Sequence, residues 1–375
     1  MQKLSDRLIS LDVFRGITIA GMILVNNPGS WDHVYPPLRH APWHGWTPTD
    51  FIFPFFLFIV GVAMSLSLTK RIERGDSHWQ LLAKVVRRTL IIFVIGFLLN
   101  LIPEFNFKEV RIPGVLQRIA LCYFFAAIIM IYANKKFQIF WTVFLLAIYW
   151  VGMKLVPVPQ YGAGILEPMG NLCWYLDSQI FAGHTWKYAP ALGFDPEGLF
   201  STLPAIATTL FGIFTGDWLR SKRDHYEKVS GLFVAGVLGL VLGELLKGWL
   251  PINKNLWTST YAIFMAGMAL IFLAMCYWLI DIKGYKAWAK PFIIFGSNAI
   301  LVYSLSSLIA KLTVTTHFTL ANGEKIALKT YMYQHWFVSW AGNTELTSLL
   351  YPLAYNLIWL GLMYILYRKN IFIKI

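Results

Sequence analysis

Histidine changes charge near neutral pH. Three of the chain's eight histidines, His33, His40 and His44, stand in one polar stretch between apolar segments. That stretch, Asn26 to Gly61, reads NNPGSWDHVYPPLRHAPWHGWTPTDFIFPFFLFIVG. His40 is the best placed of the three for chemistry. It follows Pro36, Pro37 and Arg39 and precedes Ala41-Pro42-Trp43. Proline fixes its own φ and restricts the residue before it, so the imidazole rides on a stiff, non-helical loop. Such a group suits proton transfer or nucleophilic attack. Asp50 can orient the ring or stabilise its cation, as the third member of a base constellation does. The same carboxylate fits as N-terminal cap and dipole partner of the next helix. The two roles are compatible. A metal held by His40 and His44, with or without His33, is the weak alternative. Pro42 keeps the pair off one regular helical turn, and no nearby Cys or HExxH pattern supports it. No metal is expected.

Other charged groups lie inside apolar segments, where they are costly and face a cavity or a partner. Asp12 and Arg15 are three apart and share a helix face. A mutual ion pair is the simpler reading, and ligand contact by Arg15 the other. Arg118 heads a span after RIPGVLQ. Asp217 closes another beside Arg220 and reads as structural. Glu244 and Lys247 are spaced to pair with each other. Cys122, Cys173 and Cys276 show no metal-ligand spacing, and Cys122 and Cys276 read as packing residues. The turn-like NPGS, YGAG and GFDPEG segments include no Walker loop, and no GxGxxG follows a strand. A nucleotide-containing ligand must be held another way.

The elements that position these groups are apolar. The 375 residues are 57% hydrophobic and 14% charged, with mean hydropathy +0.56. Soluble domains carry about 25% charged residues. The pattern predicts an all-α, polytopic membrane protein with one transmembrane domain over residues 1–375, since no polar stretch is long enough to bury its own core. About ten segments approach the roughly 20-residue bilayer length. They lie near residues 8–26, 50–69, 83–102, 116–133, 137–155, 199–219, 229–249, 259–280, 291–311 and 346–367. No cleavable signal peptide is visible, because the first apolar run carries Asp12 and Arg15 and no small-residue cleavage site follows it. The net charge of +13 is explained by basic cytoplasmic loops rather than by nucleic acid. With the N-terminus in the cytoplasm, inner segments hold 20 of the 32 Lys and Arg, and 11 are spread over longer outer loops. Both termini are therefore expected inside. The 27–49, 103–115, 156–198, PINKNLW and 312–345 loops then share the outer side, where a site would open. Most outer Trp and Tyr residues read as an interfacial belt.

Six segments occur in order along nearly the whole chain: LDVFRG (11–16), HAPWHGWTPTDFIFPFFLFIVG (40–61), RIPGVLQRIA (111–120), DPEGLFSTLPAI (195–206), PINKNLWTSTY (251–261) and GSNAILVY (296–303). Together they closely resemble the transmembrane acyltransferase family of the heparan-α-glucosaminide N-acetyltransferases and their bacterial relatives. The resemblance implies transfer of an acetyl group from cytoplasmic acetyl-CoA to the amine of glucosamine or a terminal glucosamine on the far side. It places the active histidine at His40 and the asparagine ending the first span at Asn26. His44 stands where the lysosomal enzyme has asparagine, so no role carries over to it.

His40 would serve as general base in a ternary complex or as an acyl-accepting nucleophile, and the ternary complex is favoured. Asn26, Asn253, Asn255 and Asn298 are amides able to donate to the thioester oxygen, or to hydrogen-bond between helices. Lys254 and Trp257 would contact sugar or pantetheine, and Arg118 would hold phosphate or seat its turn. If acetyl-CoA enters from inside, its pantetheine arm threads between helices and its phosphates lie near Arg87 and Arg88. The expected partners are acetyl-CoA, an amino-sugar acceptor and the bilayer, with a homodimer left open. The expected location is a bacterial inner membrane. A transporter or flippase of sugar or lipid-linked glycan, and an O-acetyltransferase of a cell-envelope glycan, are the competing functions.

Overall fold

Helix starts along this chain are set by side chains that answer the unpaired N–H groups of a first turn. Ser77 and Gln80 form a capping box at His78–Leu101, and Asn134 caps Lys135–Leu155. Asn171, Asp224, Thr258 and Thr344 do the same for Leu172–Phe181, His225–Leu246, Ser259–Cys276 and Glu345–Arg368. Between the caps run apolar residues, and a helix is the one form in which a single segment satisfies its own backbone in hydrocarbon. The computed structural model describes residues 8–321 and 323–373, and the chain is 69% helix and 3% strand. Lys3, Arg7 and Lys374, counted in the charge bias, lie outside the described residues.

In chain order the helices are α1 (Ile9–Asn26), α2 (Ile52–Glu73), α3 (His78–Leu101), α4 (Val115–Tyr132), α5 (Lys135–Leu155), α6 (Leu172–Phe181), α7 (Thr202–Arg220), α8 (His225–Leu246), α9 (Ser259–Cys276), α10 (Lys290–Ser297), α11 (Ala299–Thr315), α12 (Leu328–Tyr333), α13 (Ser339–Ala341) and α14 (Glu345–Arg368). A short antiparallel hairpin, β1 (His317–Thr319) with β2 (Lys325–Ala327), pairs His317 with Ala327.

A helix stands at each of the ten expected positions. By length and hydropathy, seven of the described segments can cross a membrane, and α10 with α11 makes an eighth if the pair counts as one span. The expected ten is not reached on those criteria. α3 carries Lys84, Arg87 and Arg88, and α7 carries four threonines and Asp217. The ninth expected span is broken at Asn298, where α10 and α11 meet at 75°.

Small residues let the helices approach closely. A Cβ on Gly61 of α2 would lie 2.0 Å from the carbonyl oxygen of Thr209 on α7. One on Gly267 of α9 would lie 2.7 Å from that of Gly236 on α8.

The long loops gather at one end of the bundle. The Gly45 N–H donates to the Ile252 carbonyl (2.8 Å), Trp43 Nε1 to Leu166 (2.9 Å), Ile112 N to His184 (2.9 Å) and Gly29 N to Ser348 (2.9 Å). These contacts bring the expected outer loops together at one end of the helical bundle.

Candidate active site

The His40 loop is held together by its own hydrogen bonds. Arg39 Nε donates to the Val34 carbonyl (2.8 Å), and the Thr47 hydroxyl donates to the Arg39 carbonyl (2.6 Å). Pro48–Phe51 then forms a single 3-10 turn leading into α2, with Thr47 as its cap and Asp50 at the third position. Asp50 uses its two oxygens for two purposes. Oδ2 accepts the backbone N–H groups of Thr47 (2.9 Å) and Ala41 (3.1 Å), while Oδ1 lies 2.7 Å from His40 Nδ1. The Tyr261 hydroxyl donates to the Asp50 carbonyl (2.6 Å), pinning the turn to α9. The capping and orienting roles of Asp50 therefore coexist on one buried carboxylate.

These contacts settle the tautomer. Both backbone groups on Asp50 are donors, so the side chain is satisfied as a carboxylate, which only accepts. Nδ1 of neutral His40 then carries the proton, and the Nε2 lone pair is available. The His40 side chain is 44% exposed while that of Asp50 is 0% exposed. The result is an accessible imidazole held by a buried carboxylate.

The PINKNLW turn closes over this pair. Asn253 Oδ1 accepts the Leu256 N–H (2.9 Å), and the Thr258 hydroxyl accepts the Asn253 N–H (3.1 Å). Asn253 Nδ2 donates to His44 Nδ1 at 3.2 Å, so neutral His44 carries its proton on Nε2. Burial holds His44 below the usual histidine value, against a raising effect from Glu167. The next residue, Lys254, places Nζ 3.1 Å from His40 Nδ1 and 3.2 Å from Nε2. Asp50 Oδ1 lies 3.9 Å from the same ammonium. Burial lowers the Lys254 pKa, and the carboxylates of Asp50 and Glu197 oppose that.

Beside the turn lies a cluster of which sequence reasoning singles out only Arg118. Arg111 forks onto Asp195 (Nε 2.8 Å, Nη2 2.6 Å) and also pairs with Glu197. Glu197 is held below the usual value despite burial, by Arg111, Arg118 and Lys254. Arg118 is 1% exposed and donates to the Gly198 carbonyl (2.9 Å) and to Ser201. Its guanidinium lies 5.2 Å from the Trp257 ring centre. Asp177 accepts the Leu199 N–H (3.0 Å) and is pushed up to about 7, chiefly by burial. Arg111, Asp195 and Glu197 fall in the RIPGVLQRIA and DPEGLF segments. Their signals in the sequence are those segments and charge, in a chain with few charges.

The other expected site residues are dispersed. Asn26 is exposed at the end of α1. Asn255 is half-buried in the Lys254 turn. Trp257, expected to face a ligand, is 1% exposed, packs edge-on to Phe53 and Tyr261, and donates to Thr208 (3.2 Å). Its ring belongs to the core. Asn298, an amide open to substrate contact for which structural hydrogen bonding is the favoured expectation, bridges the α10–α11 bend to the C-terminal segment, bonding the Ile371 carbonyl (3.0 Å) and the Ile373 N–H (2.8 Å). Arg15 donates to Asp12 and to the Gly296 carbonyl, both at 3.3 Å. That contact sits eleven residues, about 16 Å at 1.5 Å per residue, from the Asn26 end of α1. Arg15 and Asn298 thus belong to a region apart from His40. Among the described residues no His/Cys/Asp/Glu group could hold a metal ion.

An imidazole with one unprotonated nitrogen, backed by a buried carboxylate at the loop-rich end of a helical membrane protein, is an arrangement able to move a proton or accept an acyl group. Similarity to known proteins agrees. The family model "Heparan-alpha-glucosaminide N-acetyltransferase, catalytic" matches residues 7–241. The Homo sapiens heparan-alpha-glucosaminide N-acetyltransferase is 28% identical over 427 aligned positions, covering 100% of this chain and 61% of its own length. The Mus musculus protein of the same name is 27% identical over 423 positions, covering 99% and 61%. The chain belongs to this family of transferases, and its apolar helices make it a multi-pass membrane protein. It spans about three fifths of the length of those curated relatives. His40, Asp50 and the Arg111 cluster lie inside the matched region, and Lys254 lies beyond it.

Proposed function

We propose that the chain transfers an acetyl group from acetyl-CoA to the amine of glucosamine, free or at a glycan end. The observation that carries this reading is the 2.7 Å contact between His40 Nδ1 and Asp50 Oδ1, which leaves Nε2 free in a member of this family. A hexosamine ammonium must lose a proton before it can attack. A thioester is already activated, so placement and proton removal supply the missing chemistry. The ammonium proton leaves to water as the acceptor binds; His40 Nε2 takes the second proton, given up as the amine attacks, while Asp50 holds Nδ1–H and stabilises the imidazolium. Both substrates are bound together, so no acetyl group rests on the enzyme. Acetyl-CoA approaches from the cytoplasmic end and the acceptor from the loop-rich end. The α3 arginines Arg87 and Arg88 are the proposed phosphate contacts.

The test is CoA release by purified protein given acetyl-CoA and glucosamine. Release should require glucosamine and fall at least about 100-fold in His40→Ala, the size of a general-base contribution. N-acetylglucosamine should not replace glucosamine. If it does, the acceptor is a hydroxyl. A stoichiometric burst of CoA before acceptor is added would replace the ternary complex with an acyl-histidine. Glucosamine counterflow without acetyl-CoA would replace the enzyme with a transporter.

A further inference from the structure

The place of Lys254 is chemically specific. A lysine donating along a ring nitrogen's lone pair would be close to one nitrogen and far from the other. Here Nζ is 3.1 Å from Nδ1 and 3.2 Å from Nε2. A point so placed in the ring plane would collide with Cε1, which stands between the nitrogens. The ammonium therefore lies over the face of the imidazole. It leaves the in-plane Nε2 lone pair open and sits directly beside it.

The position is built in. The turn that presents Lys254 is braced by Asn253 Oδ1 to Leu256 N and clamped to the histidine loop by Gly45 N to Ile252 O (2.8 Å). The side chain is 19% exposed, and its nearest carboxylate oxygen, on Asp50, is 3.9 Å away, beyond hydrogen-bond length. An ammonium has three donors. Those of Lys254 end on no carboxylate or carbonyl oxygen among the described residues. A largely desolvated cation with unspent donors, fixed beside a base, is arranged for negative charge that arises only during reaction.

Acetyl transfer creates such charge in reach of it. The amine nitrogen must lie within hydrogen-bond distance of Nε2. The carbonyl carbon it attacks is one bond further, and the carbonyl oxygen becomes anionic there. We infer that Lys254 is the oxyanion-stabilising residue of the acetyl transfer, a role that rests on the reading of His40 as the base. The nitrogen lone pair forms the C–N bond, and the carbonyl π electrons move onto oxygen, where the Lys254 ammonium donates to it. The amine proton passes to His40 Nε2. On collapse the C=O reforms, the C–S bond breaks, and sulfur leaves with the electron pair and takes the proton from the imidazolium. Lys254 keeps its protons throughout.

The experiment is steady-state kinetics of CoA release for Lys254→Met, Lys254→Arg and His40→Ala, with thermal unfolding in detergent confirming the fold. Lys254→Met should lose about 100- to 1,000-fold in kcat, the cost of one oxyanion donor. KM for each substrate should stay within about threefold, because the lost contact exists only in the transition state. Lys254→Arg, which keeps the charge, should recover at least about tenfold over Met. If Lys254→Met fails to fold, Lys254→Gln takes its place with the same expectations. A kcat within about threefold of the unsubstituted protein, a loss confined to KM, or an Arg variant no better than Met would each overturn the inference. Loss in His40→Ala with activity kept in Lys254→Met sinks only the oxyanion role. Activity kept in His40→Ala sinks the base reading itself.

Discussion

The two ends of the helical bundle handle charge differently. At the end opposite the long loops, ion pairs tie helix ends together: Lys135 with Asp217, Arg220 with Glu73, Arg15 with Asp12 at 3.3 Å, and Asp76 with both Lys84 (2.9 Å) and Arg71 (3.5 Å). Lys135 and Glu73 keep more than half of their side-chain surface open. Such pairs seat helix ends and are worth little each. At the loop-rich end the side chains of Asp50 and Asp195 are fully buried and that of Glu197 nearly so, with partners unequal in number. Asp50 serves His40, Lys254 and two backbone N–H groups, and Arg111 serves Asp195 and Glu197. Asp177 has no cationic hydrogen-bond partner among the described residues and accepts a backbone N–H instead. Buried charge is costly unless it is paired and hydrogen-bonded. This fold concentrates it at one end, next to a half-exposed imidazole.

The sharpest way to break this contrast is to change one carboxylate at each end. Asp50→Asn presents an amide N–H or a neutral oxygen to Nδ1 and frees the wrong tautomer. Its kcat for CoA release should fall about 10³- to 10⁴-fold, as in other base–carboxylate pairs. Asp217→Asn, at the far end, should stay within about threefold of the unsubstituted rate. An equal loss from both would erase the distinction between reactive and seating charges.

The next effect is on stability. Arg111→Met leaves Asp195 and Glu197 buried without their cation and should cost about 3–5 kcal/mol, read as a lower thermal midpoint in detergent. Lys247→Met removes only the exposed Glu244–Lys247 pair and should not measurably move the midpoint.

The smallest effect is a pH dependence at Asp177. Its folded-state value is about 7, against an ordinary carboxylate value of 3.8. Between those values the folded chain holds a proton that the unfolded chain releases. This group therefore contributes less stability as pH rises through the window, and its contribution is flat above about 7. Asp177→Asn removes that slope. The variant should unfold about 3 °C higher than the unsubstituted protein at pH 8 and at the same temperature near pH 4. A midpoint difference independent of pH would show that Asp177 does not titrate in this range.

His40 and Asp50 are legible in the sequence alone. Prolines stiffen the one, and a Thr-Pro-x-Asp start exposes the other as a cap. The Asp12–Arg15 and Glu244–Lys247 pairs are legible too, because three residues apart on a helix means one face. Contacts between distant segments are not. Lys254 meets His40 across 214 residues, and Arg111 meets Asp195 across 84. Nor does spacing tell whether a tryptophan in a loop turn faces outward. Trp257 adopts φ +47° and folds into the core, against the expectation that it would meet a ligand. Asn298 reads along the chain as one more amide at a span end. The bend it occupies gives both its polar atoms to the C-terminal backbone.

The amino-acid order is enough to establish the class of protein, the positions of the helices, the clustering of long loops on one side and the histidine–carboxylate pair. Each of these follows from local rules of composition, periodicity, charge bias and capping that act within a few turns of chain. The packed fold alone selects which cation faces the imidazole, which arginine holds the buried carboxylates, where a span breaks, and which expected ligand contacts are packing. Those depend on helices closing through small residues and on loops meeting at one end, and no spacing along the chain encodes a contact between segments two hundred residues apart.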